Sequence, residues 1–271
     1  MLARTTAFFA SKGSGSPRLD AELLISRALG LQRIELYTQH DRPVTGAERD
    51  EARALVARRG RREPVAYILG TRAFRGLELA VGPGVLVPRP ETELLVEWVV
   101  AHAPPGAAVL DWGTGSGAIA LSLAAERPDL AVAACDVSPD ALDAARVNGS
   151  AVGGDVEWVL SDGFAALAGR RFGVVVANPP YLSDAELEAA PRELAFEPAL
   201  ALAAGPRGDE AIAAICRDAP GHLDPRGLLI TEIGEAQADG ARALMEGAGF
   251  RDVAVHADLA GLPRAVSGRL P

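Results

Sequence analysis

The sequence is poor in cysteine, lysine and aromatic residues, and it has no long hydrophobic run. Its 271 residues include two cysteines, Cys135 and Cys216, which stand apart and lack metal-ligand spacing. This pattern predicts neither a disulfide framework nor a metal site, and it is typical of a reducing cytoplasm. No apolar run approaches the roughly 18 residues needed to cross a bilayer, so we expect no membrane association.

The charge of the chain is unevenly distributed. The net charge of −9 argues against a protein that coats nucleic acid. Residues 1–75 carry 14 basic and 8 acidic side chains, a net +6, whereas residues 76–271 carry 13 and 28, a net −15. This asymmetry indicates two domains with different roles, with boundaries at 1–75 and 76–271.

The first 75 residues predict a small helical domain. Apolar spacing indicates one helix over Arg18–Gly30 and a second from Thr45 to about Arg59. The basic run Arg58–Arg62 is either a solvated helix end or a docking surface for an acidic or polyanionic partner. Two short apolar runs then flank Gly82–Gly84, which predicts a β-hairpin within a linker at about 72–90.

From Glu91 onward, strand and helix patterns alternate. Six apolar strand-like runs are separated by helical segments, and Ser138 with Pro139 indicates a capped helix start. Such alternation predicts a doubly wound α/β fold with a mostly parallel sheet. Because ligands of these sheets bind at the carboxyl ends of strands, we expect the chemistry there.

A glycine-rich loop follows the first of these strands, in the string DWGTGSGA from Asp111 to Ala118. Glycines permit a tight turn and close approach of backbone N–H groups to a ligand. The next strand ends at Asp136, where a carboxylate can hold ribose hydroxyls, so the pattern fits either NAD or an adenosyl cofactor. Asp111 favours a cationic ligand such as S-adenosyl-L-methionine, because it would repel a pyrophosphate.

A second motif, Asn178-Pro179-Pro180-Tyr181, directly follows a later strand. The prolines fix the backbone and remove two donors, which leaves carbonyls as acceptors. A planar NH₂ group could donate to the Asn178 side chain and to the Pro179 carbonyl, beside the Tyr181 ring. Together with the glycine loop, this motif resembles the class I S-adenosylmethionine-dependent methyltransferases that act on planar nitrogens, and the resemblance implies methylation of either adenine N6 or glutamine N5.

The chain resembles the release-factor glutamine N5-methyltransferases (the HemK/PrmC family), which are class I S-adenosylmethionine-dependent enzymes. The resemblance rests on several segments, of which PRPETE at Pro88–Glu93 is the most specific: SPRLDAELLISRALG, EPVAYILGTRAFRG, VLVPRPETELLVE, DWGTGSGAIAL, NPPYL, FEPALAL and TEIGEAQ. It implies a seven-stranded methyltransferase sheet, an N-terminal substrate-recognition domain and a Gly-Gly-Gln glutamine of a peptide-chain release factor as substrate.

The resemblance also implies residue roles. It assigns cofactor binding, with S-adenosyl-L-homocysteine as product, to Gly113, Thr114, Gly115, Ser116, Gly117, Asp136, Gly163 and Asn178. Ser161 and Asp162 are expected near the adenine. Substrate binding falls to Asn178, Pro179, Pro180 and Tyr181, and catalysis to Asn178, Pro179 and Tyr181. Two departures stand out: Gly163 replaces an aromatic residue, and the segment GPRGDEAI differs from the family's usual G-x-D-G-L.

Four other functions remain open at this point. Adenine N6 methylation would need a basic cleft and stacking aromatics, which the −15 segment and 5% aromatic content oppose. The others are glutamine methylation of another translation protein, a nicotinamide oxidoreductase and a catalytically silent binding protein. No histidine cluster or general base is evident, and no direct nucleic-acid partner is expected.

Overall fold

The computed structural model describes all 271 residues and divides them into two units. The first comprises Met1–Thr71 together with Pro191–Phe196, and the second comprises Arg72–Ala190 and Glu197–Pro271. The distant segment Pro191–Phe196, which contains a 3₁₀ helix over Arg192–Phe196, is a part of the first unit that the sequence pattern does not indicate.

The first unit is helical, as its sequence predicts. Its helices are α1 (Leu2–Ser11), α2 (Pro17–Leu29), α3 (Glu35–Thr38), α4 (Gly46–Gly60) and α5 (Val65–Leu69). Gly30 ends α2 in a left-handed conformation, φ +61°. Thr45 and Glu48 form a capping box at the start of α4. Phe9, Leu24 and neighbouring apolar side chains form the core.

Most arginines of the basic run at the end of α4 form ion pairs within the first unit. Arg58 pairs with Glu63, and the buried Arg59 donates to Asp20 at 2.7 Å and contacts Glu193 at 3.1 Å. Arg62 also pairs with Glu193, at 2.6 Å. The run is therefore neither a solvated helix end nor, apart from the exposed Arg61, a free docking surface.

A seven-stranded sheet forms the centre of the second unit, which confirms the predicted α/β class. The strands of the chain are β1 (Thr71–Phe74), β2 (Leu77–Ala80), β3 (Ala108–Trp112), β4 (Ala131–Asp136), β5 (Val156–Leu160), β6 (Phe172–Ala177), β7 (Leu182–Ser183), β8 (Ala203–Gly205), β9 (Leu223–Glu232), β10 (Arg251–Ala257) and β11 (Pro263–Arg269). The order in the large sheet is β10-β11-β9-β6-β3-β4-β5. β11 is antiparallel to both of its neighbours, and the remaining pairs are parallel.

Helices and short 3₁₀ turns connect these strands. The helices are α6 (Glu93–His102), α7 (Ala118–Glu126), α8 (Pro139–Val152), α9 (Asp184–Ala189), α10 (Glu210–Asp218) and α11 (Ala238–Gly247). The 3₁₀ turns are Pro90–Thr92, Ala165–Leu167, Ala199–Ala201, Ala219–His222 and Glu235–Gln237. As predicted, the Ser138 hydroxyl caps α8 by accepting from the Ala141 N–H. No helix has the length and apolar character required to span a membrane.

Successive residues of the central strands belong to two separate hydrophobic cores, one on each face of the sheet. Val109 of β3 belongs to one apolar cluster, and the adjacent Leu110 belongs to the other. Both faces of the sheet are therefore buried, as expected for parallel strands covered by helices. The polar groups at the carboxyl ends of β3, β4, β6 and β9 consequently lie together at one edge of a rigid scaffold.

The predicted β-hairpin exists, but its turn is misplaced in the prediction. The paired strands are β1 and β2, joined through Arg75 and Gly76, and the segment after Gly82–Gly84 forms no strand. Arg75 and Gly76 both have positive φ, +48° and +80°, which is the conformation of a tight hairpin turn. Pro88, which lies in the second predicted run, lacks an N–H donor, and this disfavours a strand there.

Candidate active site

The glycine loop connects β3 to α7 and forms the floor of a cavity of about 270 Å³. Gly113, Gly115 and Gly117 all have positive φ, +73°, +55° and +84°, so the loop needs residues without a Cβ. Gly117 has a packing role as well, because a Cβ there would lie 3.1 Å from both Leu121 and Trp158. The first two glycines line the cavity, whereas Gly117 lies behind its wall.

Asp111 lies beneath this loop rather than in the cavity wall. Its Oδ2 accepts from the Thr114 hydroxyl at 2.7 Å and from the Ala120 N–H at 3.1 Å. Its Oδ1 is buried without a partner. Burial raises the pKa of Asp111 to about 7, against the two hydrogen bonds that lower it. The loop therefore lies over a buried carboxyl group of which one oxygen has no hydrogen-bond partner.

Asp136 stands at the end of β4 and lines the cavity. Its Oδ2 accepts from the Gly115 N–H at 2.9 Å, and its Oδ1 accepts from the Ser138 N–H at 2.9 Å. The carboxylate therefore joins the glycine loop to the start of α8. Each oxygen keeps a lone pair for a further donor.

The end of β5 contributes a second turn to the cavity, from Ser161 to Gly163. The Ser161 hydroxyl donates to the Gly163 carbonyl at 2.8 Å and accepts from the Ala166 N–H at 3.0 Å. Phe164 points away from the cavity and stacks on His222 with ring centroids 4.7 Å apart. The aromatic ring that borders the cavity here is instead Trp112, near the bare Gly163.

The N-P-P-Y motif follows β6 as predicted. Asn178 and Pro180 line the cavity, while Pro179 is buried and Tyr181 packs on the neighbouring core. The Asn178 Nδ2 donates to the Thr92 hydroxyl at 3.0 Å, and no protein donor reaches its Oδ1. The Pro179 carbonyl likewise has no protein partner. Asn178 Oδ1 is therefore an unpaired acceptor at the cavity, and the adjacent Pro179 carbonyl is an unpaired acceptor in a buried residue.

Glu232, at the end of β9, is a second buried acid of the site, after Asp111. Its Oε2 accepts from the Thr92 hydroxyl at 2.7 Å, and its Oε1 lies 3.4 Å from the Tyr181 hydroxyl. Burial raises the pKa of Glu232 to about 7, and it also raises the pKa of Tyr181. The register of the parallel strands explains the arrangement, because Ala177 pairs with Thr231 immediately before Asn178 and Glu232.

A third buried acid, Glu197, connects two segments that line the cavity. It accepts from the Val87 N–H at 3.0 Å and pairs with Arg89 at 2.5 Å. This fixes the segment Gly84–Pro88 against Pro198–Ala201, and residues of both segments line the cavity. Sequence reasoning missed Thr92, Trp112, Glu197 and Glu232 as parts of the site. All of them lie inside the segments that resemble the family, and this was the only indication in the sequence that they belong to the site.

The loop that departs from the family pattern supports the N-P-P-Y motif from outside. A Cβ on Gly208, whose φ is +87°, would lie 2.9 Å from the Ser183 nitrogen and 3.0 Å from the Tyr181 carbonyl oxygen. Gln237 bridges the same elements by donating to the Tyr181 and Gly208 carbonyls at 3.0 and 2.9 Å. This loop therefore fixes the backbone that follows Asn178.

Comparison with known proteins agrees with this geometry. Two family profiles match the chain: the PrmC N-terminal domain over residues 1–70 and the methyltransferase small domain over residues 90–205. A release factor glutamine methyltransferase of Burkholderia pseudomallei is 47% identical over 93% of this chain and 92% of its own length. The chain belongs to the release factor glutamine methyltransferase family. The resemblance inferred from the motifs is thereby confirmed.

Other similarities support the family and the fold. The release factor glutamine methyltransferase of Geobacter sulfurreducens is 41% identical over 98% of this chain and 94% of its own length. Among solved structures, the E. cuniculi Mtq2–Trm112 complex, responsible for methylation of the eRF1 translation termination factor, is 23% identical. The matched region spans 69% of this chain and 99% of the solved chain, with a TM-score of 0.52. At that identity, the likeness shows the methyltransferase fold of this family member.

Proposed function

We propose that this protein methylates N5 of the glutamine in the Gly-Gly-Gln motif of peptide-chain release factors. The methyl donor is S-adenosyl-L-methionine, the product is S-adenosyl-L-homocysteine, and the place of action is the cytoplasm, where release factors work. The observation that carries the proposal is the free Asn178 Oδ1 beside the free Pro179 carbonyl, next to a glycine-floored cavity.

The residues of the cavity fit the proposed cofactor. The loop Gly113–Ser116 offers close backbone approach, and Asp136 has lone pairs for ribose hydroxyls. The unpartnered Oδ1 of Asp111 beneath the loop favours a cationic ligand over a pyrophosphate. When bound, S-adenosyl-L-methionine supplies a methyl group activated by its sulfonium. Trp112 and Gly163 both line the cavity and are proposed to face the adenine.

The two acceptors suit an amide substrate. An amide nitrogen is a poor nucleophile, because its lone pair is delocalised into the carbonyl. Hydrogen bonds from the substrate NH₂ group to the Asn178 side chain and the Pro179 carbonyl would orient this nitrogen. They would also stabilise the positive charge that develops on it while the bond between the methyl carbon and sulfur breaks, and the methylated nitrogen would then lose one proton to water. The chain's own contribution is thus orientation and electrostatic stabilisation.

Labelled S-adenosyl-L-methionine and a purified release factor test the proposal directly. We expect label in the release factor, and peptide mass spectrometry should place one methyl group on the Gly-Gly-Gln glutamine. A release factor with alanine in place of that glutamine is the matched substrate control. Label in an adenine-containing oligonucleotide instead would favour the rival adenine N6 activity. Label at another protein glutamine would change the proposed substrate but keep the chemistry.

A further inference from the structure

The amide of Asn178 can serve the proposed reaction in only one of its two orientations. With Oδ1 toward the substrate, the side chain accepts a hydrogen bond from the target NH₂ group. With Nδ2 toward the substrate, a donor would face a donor, and the orienting contact would be lost. Some feature of the protein must therefore select the orientation, because the two differ little in shape.

The selecting contacts form a line of three side chains. Asn178 Nδ2 lies 3.0 Å from Thr92 Oγ1, which lies 2.7 Å from Glu232 Oε2. Thr92 and Glu232 are 4% and 2% exposed, so water does not compete at these bonds. The line joins the PRPETE motif to the ends of two neighbouring strands, and the proposed function leaves both Thr92 and Glu232 without a role.

The donor inventory sets the direction of the line. A threonine hydroxyl has one proton, and an ionised carboxylate can only accept. The Thr92 proton therefore points to Glu232, and the Thr92 oxygen must accept from Asn178. We infer that Glu232 is a positioning residue: through the Thr92 hydroxyl, it holds the Asn178 NH₂ group away from the substrate and leaves Oδ1 to accept. This inference rests on the proposed function.

Protonation of Glu232 would release this constraint. A neutral Glu232 can donate to Thr92, and the Thr92 hydroxyl can then donate to Asn178 Oδ1. The side-chain amide of Asn178 would then flip, so that its NH₂ group faces the substrate. Burial places the Glu232 pKa near 7; Thr92 and Tyr181 lower it, Glu91 raises it and Arg264 lowers it. The competent form is the ionised one, so turnover should rise as the pH increases through about 7.

Nuclear magnetic resonance can test the line without any catalytic assay. The chain has two asparagines, Asn148 and Asn178, so ¹⁵N-asparagine labelling gives two side-chain NH₂ signals. We expect the Asn178 signals of the free protein to titrate between pH 5.5 and 8.5. Asn148 is an internal control, because it donates to the Ala80 and Ser116 carbonyls in a buried site. In E232Q, the titration of Asn178 should disappear.

Kinetics on the release factor supply the second readout. We expect T92V to lower kcat by about 10- to 100-fold, less than loss of a directly contacting group. T92S keeps the hydroxyl and should remain within about threefold of wild type on the same reasoning. E232Q should be slow and independent of pH between 6 and 8, whereas the exposed control E91Q should keep the pH dependence, with its midpoint shifted to lower pH.

The outcomes separate the two hypotheses. A wild-type protein that never methylates a release factor would overturn the proposed function, while the Asn178 titration would still report on the line. An active wild type whose Asn178 signals do not move with pH would overturn the positioning role. Unchanged kcat in T92V would do the same.

Discussion

Asn178 divides its functions between the two ends of one amide. The NH₂ end is held by Thr92, and the carbonyl end remains free at the cavity. A preorganised acceptor of this kind costs no rearrangement when charge develops on the substrate.

Removing that acceptor should be costly. We expect N178A to lower single-turnover rates at saturating cofactor by about 10²–10³. N178D keeps the shape and the acceptor, but we expect it to fail as badly. An anion near a sulfonium would stabilise the ground state more than the transition state, in which the sulfur is becoming neutral. Near-normal rates in N178A would remove this residue from the mechanism.

The buried Asp111 should make cofactor binding depend on pH. A cation bound above the glycine loop lowers a carboxyl pKa that burial has raised to about 7. Binding near neutral pH should therefore release a proton, and the affinity for S-adenosyl-L-methionine should increase from pH 6 to pH 8. Calorimetry in buffers of different ionisation enthalpy measures the proton directly. Equal proton release in folded D111N would contradict this assignment.

At the scale of elements, caps and periodicity predicted α2, α4 and the start of α8, whereas α1, α3 and α5 of the first unit were not predicted. Gly30, Thr45 and Ser138 fixed the ends of α2, α4 and α8, because their local hydrogen bonds do not depend on the rest of the fold. The strand β11 was missed as a pattern. Its sequence PRAVSGR has little strand character, and its place between β9 and β10 depends on long-range pairing.

The site was predictable only in part, for a similar reason. Motifs at strand ends placed Asn178, Asp136 and the glycine loop at one edge of the sheet. The role of Glu232 could not be read from the sequence, because it depends on the register between β6 and β9. The direction of the Asn178 amide depends in turn on Thr92, which lies 86 residues earlier.

The Gly208 loop offers a test of how elements support one another. We expect G208A to reduce stability by about 1–3 kcal/mol, because the new Cβ would meet the backbone of Tyr181 and Ser183 at positive φ. Turnover should fall by about tenfold as the backbone after Asn178 shifts, within the range for a misplaced positioning group. G240A is the control, since a Cβ placed on Gly240 would meet nothing within 4 Å apart from its chain neighbours and its own helix backbone. Wild-type turnover in G208A would contradict a supporting role.

At the scale of the whole molecule, the +6 charge of residues 1–75 is less available than the sequence indicates. Arg58, Arg59 and Arg62 are held in ion pairs, and Arg61 is exposed without one. We still propose that this unit recognises the protein substrate, because it contains no part of the cavity.

Charge reversal at Arg61 tests this division of roles. We expect R61E to raise KM for the intact release factor by about two- to fivefold, the scale of one exposed charge contact. The rate on a short Gly-Gly-Gln peptide should stay the same. R217E makes the same charge change on the second unit and serves as control. An equal effect of both variants would indicate general electrostatic steering instead.

The membership of Pro191–Phe196 in the first unit bears on how the chain folds during synthesis. The ribosome releases α1 to α5 long before Glu193, which lies 131 residues after its partner Arg62. Until then, the buried Arg59 has Asp20 as its only carboxylate partner. The N-terminal unit is therefore completed only after most of the second unit has been translated. The ion pairs of Glu193 with Arg59 and Arg62 are the last of its contacts to form.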